Sequence, residues 1–239
     1  LLIAIITRRN KVDREKTKIT RRRFLLLGAA GTTALACGGV AALGMRPQEE
    51  VELVESHCVK GENTKGRILI TYASQCGSTG EIAETIGQVL CEAGAAVDVR
   101  PTQSVSDVSP YRAVVVGSAI QRSRWLPQAV EFVKTHQDAM SQIPVAYFLA
   151  CMAMVEDTDT ARRKATTFLD PVYQQIPRVQ PVDVGLFAGK LDFDKLPGVF
   201  RLLWPLVSGG DVGEGDYRDW EAIRSWADDL PPKLLDASL

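Results

Sequence analysis

Ala113-Val114-Val115-Val116-Gly117 carries no polar side chain, and a strand of that kind has to be covered on both faces. This run limits the possible folds more than any other feature, because sheets buried on both sides are parallel sheets with helices above and below. Arg67–Tyr72, Ala96–Arg100, Val145–Cys151 and Val182–Phe187 are short apolar or β-branched runs that read as further strands. Between most of them the period changes. After a small-residue loop from Ala73 to Gly80, the residues Ile82, Ala83, Ile86, Val89 and Leu90 recur at helical spacing, and Gly94 ends that helix. Leu126–His136 reads as a helix with Pro127 tolerated in its first turn. Thr160–Gln175 reads as another, and Asp219–Leu230 as a last one with Trp220, Ile223 and Trp226 on one face. The expectation is an α/β fold: a doubly wound, five-stranded parallel sheet spanning residues 66–239.

The charge distribution separates that body from what precedes it. Residues 1–23 hold nine basic and two acidic side chains, a net +7, while the remaining 216 residues hold 19 basic and 27 acidic, a net −8. Nothing after residue 23 forms a basic stripe, which excludes a nucleic-acid binder. Thr20-Arg21-Arg22-Arg23-Phe24-Leu25-Leu26 opens an uncharged stretch from Leu25 to Met45. It resembles a twin-arginine export signal, with paired arginines abutting a mildly apolar, Gly/Ala-rich segment. A transmembrane anchor is compatible with the same residues, since a helix of that length reaches about 31 Å. Either way the basic flank is expected on the cytoplasmic side and the chain after Met45 outside. Ala34-Leu35-Ala36-Cys37-Gly38 resembles a lipoprotein cleavage site, and Leu1–Ile6 is given no function. Residues 1–45 are thus expected as leader or anchor, 46–65 as a charged linker, and 66–239 as the working domain. The five cysteines are scattered without a C-x-x-C pair and only two histidines accompany them, so neither a zinc site nor a disulfide framework is expected.

Parallel sheets of this class bind ligands at the carboxyl ends of their strands, where strand order reverses. The loop after the first strand reads Ser74-Gln75-Cys76-Gly77-Ser78-Thr79. Hydroxyls at Ser74, Ser78 and Thr79, with backbone N–H groups around Gly77, suit a phosphate monoester seated on a helix N-terminus. No Lys follows the glycine, so the loop does not suit a nucleoside triphosphate, and the Gly-x-Gly-x-x-Gly dinucleotide pattern is absent. A helix cap without a ligand is the alternative for the loop taken alone.

With these residues stand Val116-Gly117-Ser118-Ala119-Ile120 before a helix, Ala188-Gly189-Lys190-Leu191 after the last strand, and Tyr217-Arg218-Asp219-Trp220 at the final helix. Over residues 66–230 the chain resembles a flavodoxin-fold FMN protein, and within that superfamily the menaquinone-dependent protoporphyrinogen IX dehydrogenase branch. The resemblance implies strand order 2-1-3-4-5 with an insertion near the last strand, and FMN as cofactor. It places the FMN phosphate on Ser74, Gln75, Cys76, Gly77, Ser78 and Thr79, and the flavin ring between Ser118, Ala119, Ile120, Gln121 and Cys151, Met152, Ala153. Cys76 stands where flavodoxins usually have Thr, and Gln121-Arg122-Ser123-Arg124-Trp125 lacks the Tyr-Gly common in the dehydrogenase branch. Three functions follow as expectations: electron transfer with a protein or quinone partner at the membrane, quinone-dependent oxidation of a porphyrinogen, and a flavin-free binding module on the same fold.

Other residues carry two readings each. Trp125 stacks on the flavin or opens a helix from the core. Arg122 and Arg124 face an anionic substrate or solvent. His136 is expected at a helix end, as a partner of its dipole. Val199–Val207, inside the insertion, is apolar and touches membrane or quinone, or folds back as a satellite core.

Overall fold

The computed structural model describes residues 53–60, 66–194 and 213–235, all in the compact unit spanning Pro47–Leu239. The leader, Cys37 and the apolar stretch Val199–Val207 lie outside the described residues.

Five strands run parallel: β2 (Arg67–Ala73), β3 (Ala96–Pro101), β4 (Ala113–Gln121), β6 (Val145–Ala150) and β7 (Asp183–Phe187). Their spatial order is β3-β2-β4-β6-β7, which is the expected 2-1-3-4-5. The alternation expected of a strand buried twice is visible in β4. Val114 and Val116 face one layer with Leu69, Tyr147, Leu149, Phe132 and Val133, whereas Ala113 and Val115 face the other with Ile70, Phe148, Ile82, Ile86 and Leu90. The second layer is built by α1 (Ser78–Glu92), α5 (Trp220–Asp228) and α6 (Pro231–Leu235); the first by α2 (Pro127–Met140), α3 (Asp159–Thr167) and α4 (Asp170–Gln175). Gly117 is obligatory in β4, because a Cβ there would lie 2.0 Å from the Phe148 ring.

Several boundaries differ from expectation for identifiable reasons. β4 runs four residues past Gly117 because β5 (Arg124–Trp125) folds back antiparallel and supplies ladder partners for Ile120 and Gln121. The helix expected over Thr160–Gln175 is two helices. Pro171 sits in the first turn of α4, where a proline is tolerated, but it could not continue α3 without losing a hydrogen bond and clashing with the preceding turn. α5 starts at Trp220 because Asp219 is its cap, its Oδ1 accepting from the Glu221 and Ala222 N–H groups at 3.0 Å.

The stretch expected as linker is structured where it is described. β1 (Ser56–Cys58) adds an antiparallel edge strand to β3, with Ser56, His57 and Cys58 opposite Val99, Asp98 and Val97. The Tyr72 hydroxyl donates to the Val54 carbonyl at 2.9 Å. Cys58 and Cys91 form a disulfide that ties β1 to α1, which corrects the expectation drawn from scattered cysteines. The pairing depends on the register of an edge strand too short and too polar to stand out in the sequence. Among the described residues no helix is long and apolar enough to cross a membrane.

Candidate functional site

Strand order reverses between β2 and β4, and their register sets Ala73 opposite Ser118. β6 continues the line, with Ser118 opposite Leu149 and Ala119 opposite Ala150, and β7 follows with Phe187 opposite Ala150. The loops after β2, β4, β6 and β7 therefore leave the same edge of the sheet side by side, which brings most of the expected site residues to one place.

The first loop turns on Gly77, whose φ of 88° lies in the left-handed region that favours glycine. Its N–H donates to the Ser74 Oγ at 3.0 Å, and its carbonyl accepts from the Gly80 N–H at 2.9 Å. The Gly77 N–H is thus held inside the loop and not left open to a ligand. Gly77 is also the N-cap of α1, so no side chain caps this helix; the loop is not the self-capping segment that was its alternative reading. Thr79 is fully buried, and its Oγ1 has no hydrogen-bond partner. Buried hydroxyls are normally satisfied, so an unsatisfied one in the first turn of an uncapped helix fits an anion at that terminus. Gln75 is exposed and Cys76 and Ser78 are half-buried; the Gln121 Nε2 donates to the Gln75 Oε1 at 3.1 Å, joining the first loop to the second.

The β4–β5 hairpin turns through Arg122 and Ser123, both in the left-handed region (φ 51° and 60°). Ala119, Ile120 and Gln121 are half-buried on its inner arm. Ser118 is fully buried, and its hydroxyl is engaged on both sides: it donates to the Ala119 carbonyl at 2.8 Å and accepts from the Leu126 N–H at 2.9 Å. It braces the hairpin, and its one donor is spent there. Trp125 is 4% exposed and packs edge-on to Tyr147 with centroids 5.0 Å apart. The structure therefore places it in the core, and its face is not available for stacking on a flavin. After β6, Met152 and Ala153 are half-buried, while Cys151 is buried and its thiol is pushed up to about 11 by burial.

His136 is not at a helix end. α2 continues to Met140, and His136 packs against Phe132 at 4.8 Å between centroids. Burial lowers its pKa, and Asp107 opposes that. It lines an open cavity of about 600 Å³ between Thr102–Val105 and α2, beside the loops but containing none of the expected site residues.

Sequence reasoning gave Arg218 no role. Its side chain is 4% exposed, and the guanidinium bonds the first turn of α1 through Glu81 Oε2 at 2.8 Å and the Ser78 carbonyl at 3.4 Å. Nε and Nη2 hold Asp216 at 2.8 and 2.6 Å, and the guanidinium lies 4.4 Å from the Trp220 ring centroid. Arg218 first of all lowers the Asp216 pKa by hydrogen bonding. No local pattern announces its link to the first loop, since Glu81 lies 137 residues away.

Residues 69–211 match the profile of a family described as a flavodoxin domain. Among curated proteins, the protoporphyrinogen IX dehydrogenase [quinone] of Leishmania major is 26% identical over 177 residues, covering 69% of this chain and 74% of that protein. The protein of the same name from Escherichia coli strain K12 is 24% identical over 172 residues, covering 69% and 94%. A solved flavodoxin from the domain Archaea is 16% identical, covers 70% of this chain and 97% of that one, and has a TM-score of 0.44.

Proposed function

The chain belongs to the flavodoxin domain family, and from that premise we propose that it binds FMN and works as a flavin-dependent oxidoreductase on the outer face of a membrane. The observation that carries this reading is the buried, unpartnered Thr79 hydroxyl in the first turn of an uncapped helix, at the point where strand order reverses. Ser74, Gln75, Ser78 and Thr79 would hold the phosphate, and Ala119–Gln121 with Met152 and Ala153 would flank the ring. The flavin supplies hydride or single-electron chemistry when bound. The chain's part is to seat it, and no acid–base pair is required of the protein. The placement outside the cytoplasm draws on the twin-arginine-like leader and on the Cys58–Cys91 disulfide, a bond uncommon in reducing compartments.

Purified protein should show the visible absorption bands of a flavin, or gain them on reconstitution with FMN. A colourless protein that cannot be reconstituted would leave the flavin-free module as the surviving reading.

The similarity to two quinone-dependent protoporphyrinogen IX dehydrogenases over 69% of the chain favours a second, more specific reading, in which a porphyrinogen is oxidised and a quinone reduced. Arg122 and Arg124, both exposed on the hairpin, would face the propionates of such a substrate. Anaerobic assays decide between the two: flavin reduced by protoporphyrinogen and reoxidised by menaquinone supports dehydrogenase activity, whereas no reduction by the porphyrinogen leaves electron transfer with a protein or quinone partner.

A further inference from the structure

Two anions compete for one helix terminus. α1 begins at Ser78 directly after the phosphate-type loop, and Glu81 is the acid of its first turn. The field that favours a phosphate there favours the Glu81 carboxylate as well, and the two repel. Arg218 reaches this carboxylate from the other end of the chain. Four of its five N–H groups are engaged by Glu81, the Ser78 carbonyl and Asp216, so it offsets the Glu81 charge and holds the Ser78 peptide with most of its donors already spent. Asp216 belongs to β9 (Gly215–Asp216), which pairs with β8 (Lys190–Leu191). The arginine is thereby anchored where the chain returns from the insertion.

We propose that Arg218 is the positioning residue that makes the loop selective for a phosphorylated flavin over its unphosphorylated form, by cancelling Glu81 beside the phosphate seat. This deepens the FMN reading and rests on it. Its consequence is a split between two ligands. Loss of Arg218 exposes the phosphate to an uncompensated carboxylate, while riboflavin, which has no phosphate, is indifferent to that charge.

The test is fluorescence titration of the full chain with FMN and with riboflavin. Arg218→Gln should weaken FMN roughly tenfold and riboflavin by less than about threefold. Adding Glu81→Gln to that variant should restore part of the lost FMN affinity, because the Glu81 charge has gone while the Asp216 carboxylate stays without its arginine. Glu81→Gln alone, at an exposed side chain, should tighten FMN by about two- to threefold and leave riboflavin unchanged. Equal losses for both ligands in Arg218→Gln, or no recovery in the double variant, would overturn the proposal, as would weaker FMN binding by Glu81→Gln. Wild-type protein that binds neither ligand would instead remove the FMN reading beneath it.

Discussion

Thr79 illustrates how a single hydroxyl separates binding from stability. Its Oγ1 is buried and unpartnered in the ligand-free chain, and an unmade hydrogen bond of this kind costs about 1–3 kcal/mol. Thr79→Val keeps the shape and removes the cost, so the ligand-free variant should melt at the same temperature as wild type or higher. FMN affinity should fall by roughly tenfold, the weight of one good hydrogen bond to a charged group. Thermal melts with and without FMN measure both effects in one experiment, and matching losses in the two states would contradict the assignment. Asp98 is a second residue whose role is set by its neighbours. Burial by itself would raise its pKa, but Tyr111 (2.7 Å), His57 and Arg67 (3.8 Å) together lower it below the usual carboxylate value. A carboxylate with a depressed folded pKa adds stability above its unfolded value of about 3.9 and loses it as pH falls further. The advantage of wild type over Asp98→Asn should therefore be full at pH 6 and shrink as pH drops from about 4 toward 2, which denaturant melts across that range will show.

At the level of elements, what was legible in the sequence had a period. The five parallel strands and α1 could be read because apolar runs and helical spacing are local, and strand order came with the resemblance. The hairpin could not be read, since Arg122-Ser123 lacks the Asn-Gly chemistry that such turns prefer. Ser118 belongs to the same blind spot, since the resemblance sets it beside the expected ring while the Leu126 N–H beyond β5 takes up its hydroxyl, and Trp125 follows the second of its two readings, in the core. β1 and its disulfide were invisible because a three-residue strand carries no pattern, and Cys91 reads simply as part of an apolar helix face. The hairpin yields a prediction. Left-handed backbone at a non-glycine residue costs roughly 1–2 kcal/mol, so Arg122→Asn with Ser123→Gly should raise Tm by about 2–6 °C. If Arg122 meets a porphyrinogen carboxylate, the same variant should lose porphyrinogen oxidation while FMN binding holds. Strain retained at a turn that does no binding would have no such counterpart.

For the molecule as a whole, the disulfide joins folding to the proposed place of work. Cys58 and Cys91 are 33 residues apart, and closing a loop of that length stabilises a chain by about 3–4 kcal/mol on the chain-entropy account. The cost of its absence falls first on the segment around β1, which is also held by a short ladder with β3, by bonds of Tyr72, Asp98 and Lys60, and by Leu53 and Val54 packed against the core. Under the proposed FMN binding and export, the reduced chain would have to fold and take up FMN in the cytoplasm before the bridge forms. A twin-arginine route carries proteins across in that folded, loaded state. Under the proposed export, the bridge is therefore a record of crossing: wild-type protein in the membrane or extracytoplasmic fraction should hold Cys58 and Cys91 closed to alkylation. Arg21→Lys with Arg22→Lys should retain the protein inside the cell, flavin-loaded, with both thiols alkylated before any reductant is added. Mass spectrometry of the peptides around Cys58 and Cys91 reads the outcome directly. Bridged protein accumulating inside the cell in the double-lysine variant would separate the disulfide from export, and equal export of that variant would remove the basis for the twin-arginine reading.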